Sequence, residues 1–176
     1  MKTTLAITAS LMMISSSALA IDLNGVKEFE PQQFLGTWYQ QQSTNPFFQR
    51  ACKCAKADYS FIDEKSIKVV NSCFKEPGNV TTVTGKALIK DPNKPSRLSV
   101  SFSPISFGAV NYVVTEVGEN YEYAVIVSPG NSPIWILSRE KELPESTLNG
   151  IRLRLVQAGV RIADLKATNP LECDDF

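Results

Sequence analysis

Four cysteines, Cys52, Cys54, Cys73 and Cys173, carry the most reactive side chains of this 176-residue chain, and no histidine accompanies them. Without imidazole there is no His-based triad, no imidazole general base and no His-ligated metal. A cysteine-only metal site needs a tighter cluster than these spacings offer. In an exported protein, an even number of cysteines reads instead as two disulfides, and four cysteines allow three connectivities.

Export is what the N-terminus predicts. Met1-Lys2 is a short basic start, Leu5 to Ile14 is largely apolar, and Ala18-Leu19-Ala20 is a small-residue cleavage signal. The apolar run is too short to span a membrane. Residues 1–20 are therefore expected to be a signal peptide, and 21–176 one domain large enough for a real core. No cysteine follows the cleavage site, so a lipid anchor there is not expected. The destination is secreted or extracytoplasmic, the periplasm if the source is bacterial. Asn79-Val80-Thr81 is a glycosylation sequon, meaningful only in a eukaryotic source. Beyond Lys2 the chain has 17 basic and 18 acidic residues and no basic run, which argues against nucleic acid and anionic lipid headgroups as main partners.

A second pair with chemistry in it is an indole and a guanidinium. Gly36-Thr37-Trp38-Tyr39 stands near the start of the expected mature chain, and Trp135-Ile136-Leu137-Ser138-Arg139 about a hundred residues later. The elements between them decide whether they can meet. Pro31 to Leu35 reads as a helical turn. Strands are predicted at 36–44, 53–62, 66–75, 79–90, 98–103, 110–117, 121–128 and 133–139. Turn signals separate them, including Asp63-Glu64-Lys65, Pro77-Gly78-Asn79, Gly118-Glu119-Asn120 and Pro129-Gly130-Asn131. Leu98-Ser99-Val100-Ser101-Phe102-Ser103 alternates strictly. A helix follows, with Pro144 in its first turn, Gly159 at its stop, and Leu148, Ile151 and Leu155 in one stripe. A short extended piece near 165–169 leads to Cys173.

Eight strands joined by short turns are antiparallel neighbours and can close into an all-β, up-and-down antiparallel barrel, with the C-terminal helix packed outside. A sandwich is the main alternative, but it needs longer crossing connections. Counting strands from a floor at the start of the first places Gly36, Trp38, the 118–120 hairpin and Arg139 at that one end. Arg139 over Trp38 would be worth about 0.5–2 kcal/mol as a cation–π contact. The other end is open and carries the loops 43–52, 74–79, 103–110 and 128–133. Phe47, Phe48, Ile105 and Phe107 make its rim an entry gate or a membrane-touching edge; alternatively Phe47 and Phe48 turn inward and cap the core. Cys52 and Cys73 fall on adjacent strands at this rim, which favours Cys52–Cys73 and leaves Cys54 for Cys173.

Strand alternation assigns the interior. Trp135 and Leu137 share the face of Arg139. Leu98, Val100 and Phe102 point inward with the serines outside. With Glu116 and Glu122 taken as outer-face markers, Val113, Val117, Tyr121, Tyr123 and Val125 point inward. Tyr59 joins them with Ala55 and Ala57, as do Val69 and Gln40. The expected ligand-binding set is Tyr59, Val69, Val100, Phe102, Val113, Tyr121, Tyr123, Val125, Trp135 and Leu137. Such a lumen suits a lipid tail or flat apolar molecule, unless the side chains fill the barrel completely.

On these residues the chain resembles the lipocalin family over nearly all of its expected mature length. Gly36-Thr37-Trp38-Tyr39 is similar to the first lipocalin motif and Arg139 to the third. The run from Trp135 to Arg139 with Pro129 ahead of it, and Arg97 to Phe102, look most like the bacterial lipocalin and apolipoprotein D branch. Cys54-Ala55-Lys56-Ala57-Asp58-Tyr59 is similar to the strand whose cysteine bonds the C-terminal tail there, which supports Cys54–Cys173. Gly118-Glu119-Asn120 stands where the second motif offers Thr-Asp-Tyr, so floor contacts are expected to differ. The lipobox cysteine of membrane-anchored members is absent. The resemblance implies a soluble carrier or scavenger of fatty acids, lysophospholipids, sterols or pigments, with no cofactor. Contact with membrane at the open end is expected to be transient, and the chain to be a monomer or weak dimer. Two other functions stay open: a barrel enzyme, which would need a free lumenal thiol or acid, and a protein-binding effector using the rim loops.

Overall fold

The computed structural model describes residues 21–76, 79–103 and 108–173. Residues 1–20, where the signal peptide is expected, lie outside these, as do Ile105 and Phe107.

Pro31–Phe34 forms a short helix, α1, opened by a proline at its first turn. Gly36 then takes φ +90°, a left-handed value natural to glycine, and the chain swings into the first strand. The strands are β1 (Gly36–Ser43), β2 (Cys54–Asp63), β3 (Ser66–Glu76), β4 (Asn79–Ile89), β5 (Arg97–Ser101), β6 (Tyr112–Val117), β7 (Tyr123–Val127) and β8 (Ile134–Ser138). Each is antiparallel to the next, and β1 pairs with both β2 and β8, so the sheet closes on itself. Asp63 and Asp91 shape floor-side turns by accepting bonds from Lys65 N and Asn93 N, as short acidic side chains do in turns. A two-residue strand, β9 (Lys166–Ala167), adds to the upper edge of β1, where the extended piece is predicted.

Helix α2 (Glu145–Gln157) lies outside. Leu148, Ile151 and Leu155 pack with Val125, Val127, Ile134 and Ile136, which are therefore on the outer face of β7 and β8. Gly159 at φ +79° ends it, with Val160 N donating back to Leu155 O, a glycine stop of the Schellman type. An ion pair fastens the helix to the wall: Arg154 donates to both carboxylate oxygens of Glu116, at 3.1 and 2.5 Å, and Tyr123 Oη donates to the same carboxylate at 2.6 Å.

Three interior assignments are corrected here. Val125 and Tyr123 point out, under and beside α2, while Ala124 and Ile126 point in. The parity count fails because Glu122 belongs to the turn, not the strand: Tyr121 has φ +55° and β7 begins only at Tyr123. With α2 covering the wall, β7 is apolar on both faces and its alternation carries no direction. Val113 also faces out, buried against Gly25 in the N-terminal segment, so Tyr112 and Val114 are the inward residues of β6. Ser99 faces outward as expected but is fully buried, its hydroxyl donating to Gly108 O.

Candidate functional site

The closed end is built from the two motifs that strand counting brings together. Trp38 is fully buried, its Nε1 donating to Phe34 O at 2.8 Å. The Arg139 guanidinium sits 3.8 Å above the indole. It also donates to three backbone carbonyls: Thr37 at 2.9 Å, Gln33 at 2.6 Å and Tyr121 at 3.3 Å. Burial lowers its pKa from the ordinary arginine value without threatening its charge. The Tyr121 carbonyl comes from the turn that follows Gly118-Glu119-Asn120, so this floor contact is made by backbone.

A strap that sequence reading did not anticipate completes the floor. Val26 N donates to Val114 O, and Ser96 Oγ donates to Val26 O, both at 2.9 Å. This brings Phe29 against Phe34, with ring centroids 5.4 Å apart. Tyr121 belongs to this plug: its hydroxyl accepts from Glu30 N at 2.8 Å and it packs with Phe29. It is interior, as expected, but lies below the cavity and does not line it, a fourth correction.

Above the plug is a cavity of about 790 Å³. Tyr59, Val69, Val100, Phe102, Trp135 and Leu137 line it, together with Gln40, Ala55 and Ala57. These come from β1, β2, β3, β5 and β8, with Phe102 just past the end of β5. The barrel is therefore not filled by its own side chains. Its volume falls within the range of small-molecule sites. Tyr112, which the wrong phase for β6 had hidden, also lines it. The hydroxyls of Tyr112 and Tyr59 lie 2.9 Å apart, and the Tyr112 ring stacks on Trp135 at 6.0 Å. Burial pushes the Tyr59 phenol up to about 12, partly offset by its bond with Tyr112. Burial raises the Tyr112 phenol well above its usual value as well. Both stay neutral at physiological pH and can only offer or accept hydrogen bonds there.

The predicted loops 43–52 and 128–133 stand at the open end and border the cavity mouth. Phe47 and Phe48 sit on a single 3-10 turn, 77% and 58% exposed, and pack edge to face at 5.6 Å. They do not fold inward as a cap. Phe48 borders the cavity mouth; Phe47 does not line it. Trp135 Nε1 donates to Gln49 Oε1 at 3.0 Å, tying that loop to the wall. Disulfides join Cys52 to Cys73 at the rim and Cys54 to Cys173 at the tail. All four thiols are thereby used, and no cysteine nucleophile remains.

The geometry has counterparts among known proteins. A family model described as a lipocalin-like domain matches residues 29–170. A protein of Acanthamoeba polyphaga mimivirus named as a lipocalin is 32% identical over 151 residues, covering 82% of this chain and 86% of the relative. Apolipoprotein D of Mus musculus is 27% identical, covering 85% and 82%. The outer membrane lipoprotein Blc of Vibrio cholerae is 28% identical, covering 81% and 84%. Among solved structures, insecticyanin from the tobacco hornworm Manduca sexta superposes with a TM-score of 0.65 at 19% identity over 85% of each chain. Lobster apocrustacyanin A1 does so at 0.61 and 24% identity, covering 78% and 77%. At these identities the superpositions speak for the fold alone.

Proposed function

The chain belongs to the lipocalin family, and from that premise we propose that it is a secreted carrier or scavenger that holds a small hydrophobic molecule in its barrel. The favoured ligands are single-chain lipids such as fatty acids and lysophospholipids. The observation that carries this reading is the cavity itself: plugged below by Trp38 and Arg139, open above, and walled at depth by Ala57, Tyr59, Val69, Leu137 and Trp135. A sixteen-carbon chain buried there would gain about 12 kcal/mol gross at ~0.8 kcal/mol per methylene. Ordering the chain takes back much of that, which leaves micromolar or tighter binding. Binding rather than catalysis is proposed, since the thiols are paired and the cavity phenols are held neutral.

Two disulfides suit an oxidising compartment and support export by way of the proposed signal peptide, residues 1–20. The exposed Phe47–Phe48 pair supports brief contact with the surface from which a ligand is taken up, by a monomer or weak dimer. Organic extraction of the natively purified protein, followed by mass spectrometry, tests the carrier reading together with displacement of a fluorescent fatty acid. A co-purifying lipid or displaceable probe is expected. An empty extract together with no probe binding would sink it.

A further inference from the structure

The cavity wall changes character towards its mouth. β3 sets Val69, Asn71, Cys73 and Lys75 on the inward face, while Phe74 points the other way into the Cys54–Cys173 cluster. Across the ladder, Gly85, Val83 and Thr81 stand opposite Val69, Asn71 and Cys73. The bottom of the site is thus apolar and aromatic, and the top of this wall offers an amide, a hydroxyl and an ammonium. Lys75 is half-buried and forms no ion pair among the described residues. Among the described residues, no carboxylate lines the cavity. The other lysine beside it, Lys56, lies 3.9 Å from Asp58.

That distribution has a direction. A chain entering tail-first leaves its head level with Lys75, where low-dielectric walls strengthen the field of a charge. A neutral head gains only ordinary hydrogen bonds there. An anionic head gains a charge-assisted hydrogen bond and meets no acid among the described lining residues. Charge counting along the sequence argued against anionic headgroups because no basic run exists; a single inward lysine at a barrel mouth leaves no such run.

We propose that the mouth is a headgroup site in which Lys75, with Asn71 and Thr81 beside it, selects single-chain amphiphiles bearing a carboxylate or phosphate monoester. This rests on the carrier reading and narrows it to a ligand class.

The test is competition binding at mildly alkaline pH and physiological ionic strength with four probes of equal chain length: laurate, dodecanol, lauroyl lysophosphatidate and monolaurin. Each anion is expected to bind about tenfold tighter than its neutral counterpart, a size suited to a half-exposed charge-assisted contact. The larger of the two preferences identifies the head as carboxylate or phosphate. Lys75→Gln should abolish the preference and leave the neutral probes within about twofold, which also shows that the variant is folded. Lys53→Gln removes the same charge from the rim outside the lining and should keep the preference. Equal binding of acids and neutrals, a preference that survives Lys75→Gln, or one lost equally in Lys53→Gln overturns the headgroup site. Failure of all four probes to bind overturns the carrier reading, and the headgroup site with it.

Discussion

Replacing Arg139 by alanine removes the plug of the barrel while leaving the cavity wall intact. The side chain makes three hydrogen bonds to carbonyls of Gln33, Thr37 and Tyr121, and one cation–π contact at 3.8 Å. A fully buried charged donor is worth about 1.5–3 kcal/mol per bond. Arg139 is only part-buried and water can replace some of its bonds, so about 0.5–1 kcal/mol each is the appropriate range. With about 1 kcal/mol for the indole contact, the loss comes to about 3 kcal/mol. For a domain of this size that lowers Tm by about 6–12 °C. Urea unfolding followed by far-ultraviolet circular dichroism measures it, and the backbone bond from Arg139 N to Glu122 O survives in the variant. Arg139→Lys keeps the charge but not the planar fork, and should recover less than half of the loss. Hydrophobic-probe affinity should stay within about twofold, because Arg139 does not line the cavity. A loss below about 1 kcal/mol, or a lysine variant as stable as the parent, would refute the reading of Arg139 as a plug.

Other consequences follow from the same geometry. Cys54→Ala with Cys173→Ala opens a link spanning 119 residues of sequence and should cost about 5 kcal/mol in urea unfolding, by the chain-entropy estimate for a long loop. Val125→Ala should cost about 2 kcal/mol without altering probe binding, because Val125 packs under α2. Val100→Trp should do the reverse, occupying the cavity and weakening binding more than about tenfold with stability little changed. Tyr59, Tyr112 and Tyr123 all have phenols raised above the usual value of 10, so the folded state holds their protons longer than the unfolded chain does. Their contribution to stability should then be constant below pH 10 and fall as pH climbs from there towards the folded values. For Tyr59, at about 12, this amounts to a few kcal/mol. Urea midpoints across that range check the sign, and a midpoint that rises above pH 10 contradicts it.

Strand order, the two ends of the barrel and the disulfide pairs were legible because short turns leave consecutive strands little choice of neighbour. Counting along the chain then suffices to bring Trp38 to Arg139 and Cys52 to Cys73. Where one face of a strand is polar, inward residues were legible too, as with Tyr59 on β2 and Val100 on β5. Direction was lost where a second layer covers the wall. Under α2, β7 is apolar on both faces, and under the N-terminal segment Val113 is buried without being lumenal. Tyr112 went unseen because the ladder shifts register between Val114 and Glu116, so counting back from the outward Glu116 puts the rest of β6 in the wrong phase; yet it carries one of the two hydroxyls at the heart of the cavity.

Local chemistry along the chain therefore determined which residues form strands, where they turn, which ends they share and which cysteines can meet. All of these depend on neighbours in sequence or on counting. Tertiary structure alone decided which face of β6 and β7 is inside, that residues 22–30 strap the floor, that about 790 Å³ stays open, and that Lys75 looks into it. The physical reason is that burial is a property of what packs against a surface. A valine under a helix and a valine in a lumen are the same letter with the same hydrophobicity, and only the layer above tells them apart.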